Sequence, residues 1–181
     1  MAKLVSKVYG DALFSLALEE NRLDEIWDEV KGLESALSEN KEFMDIMAHP
    51  EMTREKSLAM IDEAFQGKLS DVMMGFLQVL VKKGRFGEIL SVLDHFQRET
   101  KEYKKIGVVY VTTPTELTGA QKESIVERLD QTAGYDSLEM NYIVDSGLLG
   151  GIRIRIGDRV VDNSIQTKLE EMTRSLSKVR V

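Results

Sequence analysis

The chain has 181 residues, with 24 basic against 31 acidic side chains, a net charge of −7 and no cysteine. The acidic balance argues against nucleic acid as a main partner, because neutralising phosphates takes a clustered positive field. The missing thiols exclude disulfide frameworks and thiolate-bound zinc or iron–sulfur centres.

No stretch approaches the roughly 18–20 apolar residues of a membrane span. The opening MAKLVSKVYGDALF lacks the apolar core and cleavage site of a secretory signal. A soluble protein is expected, held at any membrane by something else. The length suits one large domain or two small ones.

From Lys3 to Glu20, Val5, Val8, Tyr9, Ala12, Leu13, Leu16 and Ala17 recur at helical spacing, and Phe14 and Leu18 widen the stripe. A helix burying two faces follows, either central to a bundle or receiving a partner helix. A second helix runs through Leu23, Ile26, Trp27, Val30, Leu33 and Leu37, with Asp24, Glu25, Asp28, Glu29 and Glu34 expected on a solvated face. A short helix from Lys41 to Met47 stops at His49-Pro50, since the residue before proline leaves the helical region. Thr53 opens the next, closed by Gly67, and Ser70 caps an apolar fifth helix containing Met73, Phe76, Leu77 and Leu80. Gly84 ends it, and Arg85 to Lys104 is expected as one last long helix.

Near residue 105 the pattern changes class. Ile106 to Val111 is β-rich, Thr118 caps a helix that Gly134 closes, and Leu138, Met140, Tyr142 and Val144 alternate as a strand. Gly150 and Gly151 precede a strictly alternating strand, with Ile152, Ile154 and Ile156 on one face and Arg153 and Arg155 on the other. Gly157-Asp158 is a two-residue turn into Arg159, Val160 and Val161. Asp162, Asn163 and Ser164 lead into a last helix, with Asn163 and Gln166 spaced as a capping box. The fold class is therefore mainly α: an N-terminal six-helix bundle over residues 1–105, then a small α+β domain over 106–181 with a short sheet and two helices.

Catalytic constellations are missing. There is no phosphate-cradling loop and no nucleophile elbow, and Gly147, Gly150 and Gly151 lack a following helix at the right spacing. His49 and His95 stand isolated in the sequence and are expected as surface or capping residues. Asp158 and Asp162 could be paired carboxylates, but turn and cap duties explain both. Arg153 and Arg155 are a solvated strand face or a contact for an acidic helix. No cofactor, metal or small-molecule substrate is expected.

The run LLGGIRIRIGDRVVDNSIQTKL resembles the C-terminal signature of the delta subunit of bacterial F-type ATP synthases, related to the mitochondrial oligomycin-sensitivity-conferring protein. Leu148, Leu149, Gly150, Gly151, Gly157, Asp158, Val160, Val161, Asp162, Ser164 and Leu169 fall in place, and Asn163 replaces the family's more usual glycine. Tyr9, Ala12 and Leu13 match the first helix. In GFLQVLVKKGRF, Phe76, Leu77, Leu80 and Arg85 match the join of the fifth and sixth helices, with Gly75 replacing asparagine.

The resemblance implies a non-catalytic stator. Its helical domain would bind N-terminal helices of alpha subunits through Val5, Tyr9, Ala12 and Leu13 on the first helix and Met73, Phe76, Leu77 and Leu80 on the fifth. Its second domain would hold the C-termini of a b-subunit dimer, with Arg153 and Arg155 as contacts. Membrane association would be indirect, at the cytoplasmic face of a bacterial inner or plasma membrane. The competing reading is an unrelated helical adaptor or small enzyme that binds an anion near Gly150, Gly151 and Arg153.

Overall fold

The computed structural model describes residues 2–49 and 52–178, so Pro50, expected to stop the third helix, lies outside the described residues. The chain divides into two compact units, Met1–Thr100 and Lys101–Val181.

The first unit contains α1 (Ala2–Glu19), α2 (Leu23–Glu39), α3 (Lys41–Ala48), α4 (Arg54–Phe65), α5 (Asp71–Lys82) and α6 (Ile89–Tyr103, whose last turn belongs to the second unit). Their termini follow local chemistry. The Thr53 and Ser70 hydroxyls accept from the Lys56 and Met73 N–H groups, and Gly67 and Gly84 take φ of +76° and +65° beyond the last turns. One core joins Leu13 and Ala17 of α1, five residues of α2, Ile61 of α4, Met73, Leu77, Leu80 and Val81 of α5, and Ile89, Leu93 and Phe96 of α6. Phe14 meets Phe96 edge-on at 6.3 Å.

Two expectations change here. The span expected as one helix from Arg85 begins instead with a 3₁₀ turn, Phe86–Glu88, because Phe86 is pulled into the core before the α-helix starts at Ile89. Glu29 and Glu34 also leave the solvated face of α2. Glu29 accepts from the Ser70 N–H at 3.0 Å and from its hydroxyl at 2.8 Å, tying α2 to the start of α5, and Glu34 accepts from Gln97 on α6.

The second unit adds β1 (Ile106–Thr113), α7 (Gly119–Thr132), β2 (Ser137–Val144), β3 (Arg153–Ile156), β4 (Arg159–Asp162) and α8 (Ile165–Lys178). The sheet order is β2-β1-β3-β4: β1 and β2 run parallel through the α7 crossover, and the β3–β4 hairpin adds antiparallel to the other edge of β1. Central β1 buries every second residue, Gly107, Val109, Val111 and Thr113. The register puts Met140, Tyr142, Ile154 and Ile156 on that same face. Thr118 and Gln121 close a full capping box at the start of α7.

Lys105, just before β1, has φ +49°. A side chain there carries left-handed strain that glycine avoids at some entropic cost. Lys105→Gly should therefore raise stability by about 0.5–1 kcal/mol in urea unfolding.

Candidate functional site: two unpartnered helix faces and a braced loop

The first candidate surface lies on α1 and α5. Each turns one side into the shared core and leaves an apolar strip outside. On α1 the strip is Leu4, Val8, Ala12 and Leu16, spaced by one helical turn, with Val8 56% exposed. On α5 it is Val72, Gly75, Phe76 and Val79, with Val79 43% exposed and open space above Gly75.

The residues expected from sequence sort differently. Ala12 is exposed, and Val5, Tyr9 and Phe76 are half-buried. Leu13, Met73, Leu77 and Leu80 have essentially no accessible surface and belong to the core beneath. Phe14 and Leu18, which widen the apolar stripe of α1, pack against that core too. The outer strip was visible in the sequence only as the i, i+4 series Leu4-Val8-Ala12-Leu16.

The second surface lies on α8. Ile165, Leu169 and Met172 line one side of the helix and are 47%, 52% and 61% exposed, and Leu149 from the preceding loop is 74% exposed. Leu149 and Leu169 border the same shallow depression. Four large apolar groups left in solvent on one helix and its adjoining loop mark an interaction surface. The sequence places this helix, and the spacing of Ile165, Leu169 and Met172 is the signal in it for such a face.

The signature loop aims that helix. Leu148 is buried, and the Asp145 carboxylate accepts from the Gly147 N–H at 2.9 Å. Gly151 has φ +88°, and a Cβ there would lie 2.8 Å from Ser164 Cα and closer still to the Asn163 carbonyl oxygen, so only glycine fits. The Gly150 carbonyl accepts from the Ile165 N–H at 2.9 Å, and the Ile152 carbonyl accepts from the Asn163 N–H at 2.9 Å. The helix cap is corrected by one residue. Ser164, fully buried, accepts from the Thr167 N–H at 3.3 Å, in place of Asn163 with Gln166. Asn163 is not among the residues of positive φ, so its place here does not draw on a tolerance of the left-handed region.

Asp162 organises this corner. It accepts from the Ser164 N–H at 2.9 Å and from Arg153 Nε at 2.8 Å. Hydrogen bonding from Ser164, reinforced by the Arg153 guanidinium, holds its carboxyl well below the usual carboxylate range. A depressed folded-state pKa contributes stability that is present above the ordinary value of about 3.9 and is lost as pH falls below it. The stability gap between wild type and Asp162→Asn should therefore be open at pH 7 and narrowed at pH 3, as read by denaturant titration at each pH. An equal gap at both would exclude the charged form as the cause.

Asp158 sits at the hairpin turn and Asp162 at the far end of β4, about 13 Å along an extended strand, so they form no carboxylate pair. Arg155 lies over the Tyr110 ring at 4.6 Å. With Arg153 engaged by Asp162, and Asn163 and Ser164 packed against Gly151, the anion reading loses its cradle. A cavity of about 590 Å³ between α7 and the hairpin is lined by Leu129, Ile154, Ile156 and Val161 among others.

Residues 5–176 match the family model described as ATP synthase delta (OSCP) subunit. The chain belongs to this family. It is 45% identical over 181 residues to ATP synthase subunit delta of Lachnoclostridium phytofermentans, covering all of both chains, and 32% identical over 174 residues to that of Bacillus pumilus, covering 96% of each. A chain in a cryo-EM structure of the Toxoplasma gondii mitochondrial ATP synthase hexamer shares the fold at TM-score 0.72 and 22% identity, covering 94% of this chain and 96% of that one. As a member of the delta family, the protein is a non-catalytic stator component of an F-type ATP synthase, with its part in ATP synthesis and ion transport a structural one. Among the described residues, no helix is long and apolar enough to cross a membrane.

Proposed function

We propose that the N-terminal part, residues 1–105 acting as a six-helix bundle, receives amphipathic N-terminal helices of the alpha subunits on the outer strips of α1 and α5, in helix-in-groove fashion. The observation that carries this is the pair of exposed apolar strips over one common core. Core residues Leu13, Met73, Leu77 and Leu80 then act from beneath, fixing the strips, while Val5, Tyr9, Ala12 and Phe76 make contact from above.

The second part, residues 106–181, holds the C-terminal ends of the membrane-anchored b-subunit dimer. The support is the apolar stripe of α8 with Leu149, and Arg153 and Arg155, exposed on β3, are the further contacts in this reading. Attachment to the cytoplasmic face of a bacterial inner or plasma membrane is then indirect, through the b subunits. A stator has to resist rotor torque without chemistry of its own. Two attachment surfaces on one chain achieve this by avidity, since the first contact raises the effective concentration for the second.

The test is calorimetric titration of the full chain with a peptide copied from the N-terminus of the same organism's alpha subunit, repeated with Ala12→Asp and Phe76→Asp. Saturable binding in the wild type, lost in folded variants, supports the reading. Failure of a folded wild type to bind removes it.

A further inference from the structure

We propose that Asp11, His95 and Glu99 form a binding site for a single divalent transition-metal ion of the zinc class. Local sequence pattern cannot relate these residues, because Asp11 and His95 are 84 positions apart. In the folded unit, His95 Nε2 lies 2.7 Å from Asp11 Oδ1 and 3.7 Å from Glu99 Oε1, and the three donor atoms all lie within 4.8 Å of one another. A tetrahedral ion with ligand bonds of about 2.0–2.1 Å separates its donors by roughly 3.3 Å. The two His95 spacings, 2.7 and 3.7 Å, bracket that value and the third is no more than 4.8 Å, so rotation of the part-exposed Asp11 and Glu99 carboxylates brings all three donors onto one ion.

Three features favour an ion over a plain hydrogen-bonded pair. The first is charge. Two carboxylates flank one imidazole, and among the described residues no lysine or arginine forms an ion pair with either of them. A dication relieves that excess, which a His–Asp hydrogen bond alone does not.

The second is the fixed position of the imidazole. His95 and Glu99 are one turn apart on α6 and so share a face. The imidazole is held against α1 at Gly10, where an added Cβ would meet His95 Cδ2 at 2.5 Å. Leu13 and Phe96, close by on the same two helices, anchor both in the core.

The third is access. The His95 side chain is only 13% exposed, while those of Asp11 and Glu99 are 46% and 39% exposed, leaving an open side for entry and for a water as fourth ligand. An imidazole nitrogen beside carboxylate oxygens suits zinc, cobalt or nickel, whereas magnesium and calcium prefer oxygen alone. Binding requires the imidazole proton on Nδ1, so that the Nε2 lone pair faces the ion.

The test titrates the full chain with Zn²⁺ by calorimetry and with Co²⁺ by visible absorption, alongside His95→Gln, Glu99→Gln and His49→Gln. The last alters the only other histidine. One-to-one binding is expected in the wild type and in His49→Gln, weakened at least a hundredfold in His95→Gln and at least tenfold in Glu99→Gln. Glu99→Gln leaves the Asp11–His95 contact in place, so it guards against a loss caused by misfolding, and circular dichroism checks every variant. A folded wild type that shows no one-to-one binding, or binding unchanged by His95→Gln or by Glu99→Gln, overturns the site.

Discussion

Gly151→Ala is expected to destabilise the C-terminal unit by about 3 kcal/mol, the upper end of the range for a residue forced into a sparsely populated backbone region. Two penalties act together. The φ of +88° is one that side chains rarely adopt, and the new methyl meets backbone, the Asn163 carbonyl and Ser164 Cα, which cannot move without displacing the start of α8. Gly150→Ala supplies the contrast. Its φ of +159° also disfavours a side chain, but the added Cβ meets only the Ile165 side chain, Cδ1 at 2.5 Å, which can change rotamer, so the loss should fall to the lower end of that range, about 1 kcal/mol. Amide exchange at Val109 and Val111, buried in the central strand, reads both effects. Equal losses in the two variants would mean that the close approach at Gly151 relaxes at little cost.

A comparable effect, on binding instead of folding, is expected from Val8→Asp and Val79→Asp. Each places a charge in the middle of an exposed apolar strip, on α1 and on α5. Under the proposed mode of docking, each should weaken the alpha-subunit peptide about a hundredfold, or about 2.7 kcal/mol, because a partner helix would desolvate an unpaired carboxylate. Stability should change by no more than about 0.5 kcal/mol, since both positions already face water. Leu77→Asp, at a position with no accessible surface, should instead unfold the unit. Titration and thermal melting of all three, run together, separate a binding face from a core. If Val8→Asp and Val79→Asp bind like the wild type, the outer strips are not where the peptide docks.

Much of the local structure could be read from the residues. Thr53, Ser70 and Thr118 cap the helices that follow them, and Gly67, Gly84 and Gly134 take the positive φ that ends a helix. The Arg153-to-Ile156 alternation forms the strand it describes, and Gly157 turns it back at φ +53°. Each of these depends on groups within a few positions of one another. Boundaries moved where distant packing competed: Phe86 leaves the helical path because the core of the first unit takes its ring, and the last cap shifts to Ser164 because that side chain is buried.

The sequence by itself determined the mainly helical class, the change to a β-rich second part, and the glycine and cap positions that mark the delta family, since these are consequences of period, backbone freedom and near-neighbour hydrogen bonds. Only the tertiary structure decided which apolar residues remain outside. Apolar spacing identifies a stripe, but whether Leu13 or Ala12 of that stripe meets the core depends on where the other helices lie. Strand order was decided there too, because parallel β1–β2 pairing with the hairpin on the other edge rests on hydrogen bonds between segments far apart in the chain. So was the meeting of Asp11 with His95, which local pattern cannot express.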